Sequence, residues 1–312
     1  MLLEQPELIY LNSVPSKYLL CLDLSKLIKY HLTTIANRAM KMNRLILLAS
    51  LIFSSIMLSN CGDDDNTPDT VTIQGSQVTI AEDSSTLECL PSSAPNDIAV
   101  IACLFYDESV VVVVGETSLK ITASSEPDHK SMYYETTNAL YEDYNEDDNE
   151  DFYKNPNTIA SMNYTFTLPR FPEMSANNED TPFGPMGVSI NSVVFYNQVA
   201  APGDDILEEL NTFDQYEGHP TNTGSYHYHT EPTWLTEIKG DSTFLGLLLD
   251  GFPVYGPVES GVTLTNDDLD DYHGHTGVTA HFPEGIYHYH ITADLPWING
   301  GEFYGVAGKV TQ

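Results

Sequence analysis

Two stretches decide how this chain folds: Gly224-Ser225-Tyr226-His227-Tyr228-His229 and Gly285-Ile286-Tyr287-His288-Tyr289-His290. Each follows a Gly-His step, at Gly218-His219-Pro220 and at Gly274-His275-Thr276-Gly277. Alternation of two residue types is the period of a β-strand, where residues two apart face the same way, about 6–7 Å apart. His227 and His229 therefore share one face, as do His288 and His290. The tyrosines 226, 228, 287 and 289 take the opposite faces. Of ten histidines, eight lie between His219 and His290, a crowding that asks for a chemical reason.

Outward from these stretches the chain carries more short, β-branched runs bounded by Gly, Ser, Asp and Pro. They fall at residues 71–73, 78–80, 98–105, 110–114, 119–121 and 162–168, and all read as strands. Residues 187–197 read as a hairpin turning at Asn191-Ser192, and 244–249 and 252–258 flank an Asp250-Gly251 turn. Residues 302–310 close the pattern. Asp204 to Leu210 is the best helix, short and started by acids. Nineteen tyrosines and twelve phenylalanines fit this picture. The expected fold is mainly β, an antiparallel β-sandwich or barrel-like domain with long loops and little helix.

A length of 312 residues allows one large or two ordinary domains. The formal charge of −33 excludes nucleic acid as a partner, because phosphate binding needs clustered Lys and Arg. Residues 135–157 hold the acidic block Glu142-Asp143-Tyr144-Asn145-Glu146-Asp147-Asp148-Asn149-Glu150-Asp151, read as an exposed, self-repelling loop. Calcium is the sharper reading, but the ligand spacing and central Gly of a calcium loop are missing.

Lys41 and Arg44 precede an apolar run at 45–58 and then Leu58-Ser59-Asn60-Cys61. A basic start and a short apolar stretch make a secretory signal. Its end resembles a bacterial lipobox, with Cys61 lipidated as the first mature residue. Residues 1–41 then lie upstream of the true start at Met42 or Met40, 42–60 form the signal peptide, and 61–70 an acidic tether. Gly62-Asp63-Asp64-Asp65 resembles the tag that exports some Gram-negative lipoproteins. The expected location is the outer membrane, on the cell surface or periplasmic face, with the lipid as membrane partner. Cys89 and Cys103 remain in the mature chain, and in an oxidising compartment they read as one disulfide, the alternative being two buried thiols.

Neutral imidazole suits zinc, copper, iron and nickel, and His-x-His on a strand grips an ion from one side. The candidate ligands are His219, His227, His229, His275, His288 and His290, with zinc or copper as the cofactor. If the two copies fold back as neighbours, their imidazoles share a small pocket. Six exceed one tetrahedral shell, so some stand behind the ligands, or there are two sites. Asp214, Asp250, Asp271 and Glu284 are candidate oxygen partners; His273 and His281 rank lower. The competing reading is a hydrogen-bonded His/Tyr ladder without metal.

With these residues in view the chain resembles the YHYH-domain family. The match begins near Pro127-Asp128-His129-Lys130 and includes Thr181-Pro182-Phe183-Gly184-Pro185-Met186-Gly187-Val188, both Gly-His steps and both Tyr-His-Tyr-His segments. It also includes Leu249-Asp250-Gly251-Phe252-Pro253-Val254-Tyr255-Gly256-Pro257. The strand runs upstream make 71–125 an N-terminal β region, and the resemblance implies a YHYH domain at 126–312, secreted or lipid-anchored. It brings no settled reaction. Family cysteines two residues before each Gly-His are replaced by Tyr216 and Tyr272, and His129 is expected near the cluster. The leading function is an extracytoplasmic metal-binding protein. The alternatives are a non-catalytic glycan- or protein-binding surface module and a metal-dependent hydrolase or oxidase using the same histidines.

Overall fold

Alternating and β-branched segments pair wherever their backbone groups can find a neighbour, and here they do so in two large sheets. A computed structural model describes residues 71–74, 77–80, 94–147, 149–200 and 204–312. The expected start, signal peptide, Cys61, acidic tether and Cys89 lie outside the described residues. In chain order the strands are β1 (Val71–Gln74), β2 (Gln77–Ile80), β3 (Val111–Val114), β4 (Ser118–Ala123), β5 (Tyr164–Pro169), β6 (Gly187–Ser189), β7 (Val194–Phe195) and β8 (Gly218–Pro220). They continue as β9 (Tyr226–Tyr228), β10 (Phe244–Leu248), β11 (Pro253–Tyr255), β12 (Val258–Glu259), β13 (Val262–Thr263), β14 (Gly274–Gly277), β15 (Ile286–His290) and β16 (Lys309–Thr311). Among the described residues helix is confined to α1 (Ile206–Glu209), α2 (Thr233–Lys239) and short 3-10 segments. The fold is mainly β.

One sheet has the order β16-β5-β4-β3-β1-β2, all antiparallel. It joins strands from both sides of the boundary expected at residue 125, since Ala123 pairs with Tyr164. The second sheet has the order β14-β15-β11-β10-β6-β7-β9-β8. It is antiparallel except where β7 pairs with β9 and β11 with β15. Ile121 and Phe166 of the first sheet and Val188 and Leu247 of the second are fully buried in one hydrophobic cluster. Among the described residues no helix is long and apolar enough to cross a membrane.

The apolar run at 98–105, read as a strand, is instead a 3-10 helix, Ile98–Leu104. Asp97 accepts from the Ala99 N–H at its start and is gripped by Arg170 at 2.7 and 2.8 Å. A short, continuously apolar run has no period to distinguish helix from strand, and the cap decides.

The eight-stranded sheet has an internal twofold. The pairing of β6 with β10 is reciprocal: Gly246 faces Ser189 and Leu248 faces Gly187. Ile190 N–H donates to Leu245 O while Leu249 N–H donates to Met186 O. Residues 187–196 thereby superpose in role on 246–255, with Asn191-Ser192 standing where Asp250-Gly251 stands. Ser192 and Gly251 both have left-handed backbones, φ 76° and 83°. The axis between two antiparallel strands is perpendicular to their sheet, so equivalent side chains leave on the same face.

Candidate metal centres

The twofold carries the repeated phrase with it. In one half His219 faces His227 and Gly218 faces Tyr228; in the other His275 faces His288 and Gly274 faces Tyr289. The Gly of each Gly-His step is required sterically: a Cβ at Gly218 would lie 2.5 Å from the Tyr226 hydroxyl, and one at Gly274 2.5 Å from the Tyr287 hydroxyl. The tyrosines brace the opposite face. Tyr226 donates to Asp214 at 2.7 Å, Tyr287 to Asp270 at 2.9 Å, and Tyr289 to Asp250 at 2.6 Å. Tyr228 meets Asn191 and His129 instead.

The first cluster is His219, His227 and His229, all buried. Each Nδ1 is committed. That of His227 donates to Ser225 O and that of His229 to Asn197 O, because a carbonyl can only accept. His219 Nδ1 meets Thr212 Oγ1 at 2.6 Å, and the Thr212 hydroxyl proton already goes to Glu209 O. All three protons of the neutral rings therefore sit on Nδ1. The Nε2 atoms, bearing lone pairs, point at one another, at 3.1 Å (His219 to His227) and 3.0 Å (His227 to His229). Such contacts are not hydrogen bonds between neutral rings. They repel unless a cation lies among them.

A proton is a poor candidate for that cation. Burial, and then the neighbouring His229, push His219 down to about 3; burial pushes His229 down to about 4. His227 is driven well below its usual value by burial and both neighbours. A metal ion fits better: ligands about 2.0–2.1 Å from a tetrahedral ion lie roughly 3.3 Å apart. Tyr196 stacks on His227 at 4.0 Å and Phe213 on His229 at 5.9 Å, fixing both rings. The Glu209 carboxylate comes to 3.8 Å of His219 and 3.7 Å of His229.

The second cluster is His275, His288, His290 and Glu259. His288 Nδ1 donates to Ile286 O and His290 Nδ1 to Gly256 O, the same bonds as in the first cluster. Glu259 stands 3.3 Å from His288, 3.3 Å from His275 and 4.0 Å from His290. His275 Nε2 and His290 Nε2 are buried with no hydrogen-bond partner. Burial lowers His290 to about 4 and lowers His288 as well. The Nε2 lone pairs of His288 and His290 therefore face the Glu259 carboxylate, acceptor against acceptor.

Several expectations are corrected here. The six histidines do not share one pocket. β9 and β15 are separated by four strands, and each cluster also takes a ring from the strand outside, β8 or β14, so the clusters lie roughly 24–29 Å apart at the usual strand spacing. Each copy builds its own cluster, and His219 and His275 lie on strands rather than turns. Asp214 and Asp250 serve tyrosine hydroxyls, while Asp271 and Glu284 are exposed; all four lie outside both groups. His129 packs on the tyrosine face, 3.0 Å from the Tyr228 hydroxyl and 4.5 Å from the Tyr216 ring. His273 and His281 lie outside both clusters, as expected: one bonds His290 O and the other Tyr255. Among the described residues the acidic block contributes no comparable group. Cys103 is disulfide-bonded. Glu259, Glu209 and Thr212 were missed, because one carboxylate among 45 carries no distinguishing spacing.

A family model described as YHYH protein matches residues 165–263 and 259–301. No curated protein and no solved structure gives a significant match.

Proposed function

The chain belongs to the YHYH-protein family through residues 165–301, and from that footing we propose that each half of its eight-stranded sheet binds one transition-metal ion, zinc or copper. The observation that carries this reading is the tautomer lock. Nδ1–H bonds to carbonyls leave the Nε2 lone pairs of His227 and His229 facing each other at 3.0 Å. The protein is a lipid-anchored, extracytoplasmic metal-binding protein in this account, attached to the outer membrane through Cys61.

Elemental analysis of protein made without a histidine tag tests the metal: about two ions per chain are expected after supplementation. Less than about one ion for every five chains contradicts it. Cys61→Ala tests the anchor. It should abolish incorporation of labelled fatty acid and release the protein from membranes; unchanged membrane attachment contradicts the lipid assignment.

A second reading, a binding module for glycans or protein, is favoured by one observation. Tyr153, Phe183 and Val199 are 54%, 70% and 46% exposed around one cavity. That reading needs no metal, and binding that survives complete metal removal would support it.

A further inference from the structure

The two clusters are chemically alike but differently placed. The second is faced by Glu259 within 3.3 Å of two imidazoles and 4.0 Å of the third, so its own chain supplies a fourth donor. In the first, the Glu209 carboxylate stands further back, 3.8 Å from His219 and 3.7 Å from His229 and outside the group of close donors, and the three rings form part of the wall of a cavity of about 850 Å³. A space of that size holds a small molecule. The exposed side chains of Tyr153, Phe183 and Val199 stand around it, an apolar rim that water alone does not explain. The same lining contains Asp204, Asp205, Glu208 and Glu209, and no Lys or Arg.

We infer that the first centre keeps a coordination position open to this cavity, and that its ligand is a neutral or cationic small molecule with an oxygen or nitrogen donor and an apolar body, while in the second centre the chain's own four donors, His275 and Glu259 among them partly exposed, fill the coordination shell and serve structure. The inference rests on the metal reading above. Closed four-donor sites hold folds together, whereas sites with three protein ligands leave a position for an exchangeable molecule. The four carboxylates set the sign of the preference: a focused negative field disfavours anions such as phosphate or carboxylate at the metal. The apolar rim then covers the body of a ligand whose donor atom reaches the ion.

The full chain loaded with cobalt(II) reports coordination through its visible spectrum, with imidazole as the neutral probe and azide as the anionic one at pH 7.5. Glu259→Ala/His275→Ala leaves the first centre loaded, and imidazole should shift its spectrum with affinity at least about tenfold above that of azide. His219→Ala/His229→Ala leaves the second centre loaded, and neither probe should change it. Should that buried double variant not fold, the wild type answers: imidazole should alter the bands of one of two bound cobalt ions. Asp205→Asn/Glu208→Gln, at exposed positions, should tighten azide several-fold and leave imidazole unchanged. Two bound cobalt ions with no response to either probe, a response at the second centre, or equal affinity for azide and imidazole would overturn this inference and leave the metal reading standing. Failure to bind cobalt at either centre would overturn both.

Discussion

His227 shows how much one ring's surroundings decide. Its Nδ1 proton is held by Ser225 O, Tyr196 lies on its face at 4.0 Å, and its Nε2 sits between those of His219 and His229. His227→Ala should therefore cost the first centre its ion and leave the second loaded, so that the metal content falls from about two to about one per chain. Because burial keeps His219, His227 and His229 neutral near pH 7, loading the first centre should release few protons. Calorimetry in buffers of different ionisation heat should give well under about one proton per ion; several protons per ion would contradict the lowered imidazole values. Tyr289→Phe tests the opposite face. Asp250 would lose a 2.6 Å donor while buried, and the Tyr304 N–H its acceptor, costing about 1–3 kcal/mol in chemical denaturation. At this scale the sequence was informative about part of the histidine pattern: that His227 shares a face with His229 and His288 with His290 followed from alternation, whereas the strand positions of His219 and His275 did not. The carboxylates were not legible. Asp214 and Asp250 stand near the phrase in sequence but their side chains go to tyrosines, and Glu259 arrives from the end of β12 without any pattern to mark it.

Strands set the spacing between ligands. β8 with β9 and β14 with β15 place one histidine directly across from another, and the third follows two residues along the same strand. The Gly-His step allows this because the tyrosine ring of the next strand fills the space a side chain would need. Gly274→Ala should thus be severe: its Cβ would lie 2.5 Å from both the His288 carbonyl and the Tyr287 hydroxyl. A loss of about 1–3 kcal/mol of stability is expected, together with loss of one ion per chain, read by denaturation and elemental analysis. A substitution tolerated with both ions retained would contradict the packing argument. Most strands were legible from short β-branched runs between turn residues. The run at 98–104 was not, because its helical turn depends on Asp97 being held by Arg170, 73 residues away. The two copies were legible as repeats but not as distant ones. Only the strand order, with β6 and β10 at the centre, separates them.

Across the whole molecule, buried ionisable groups pull stability in opposite directions with pH. His129, His219, His229 and His290 are lowered to about 4, 3, 4 and 4, and His227 lies well below its usual value. Between these values and about 6.5 the folded metal-free chain binds fewer protons than the unfolded one, so stability falls as pH falls. Asp214 and Asp250, raised by burial to about 6, and Glu217, raised to about 7, oppose this, since the folded chain holds their protons more tightly. The histidines are more numerous and further displaced. The melting temperature of the metal-free protein should therefore drop between pH 6.5 and 4.5; a rise would show that the acids dominate. The central claim, two separate ions on one sheet, is tested most directly by anomalous diffraction from metal-loaded crystals at the absorption edge. The account predicts two peaks roughly 24–29 Å apart, one among the Nε2 atoms of His219, His227 and His229 and one among His275, His288, His290 and Glu259. A single shared peak, or none at these side chains, would contradict it.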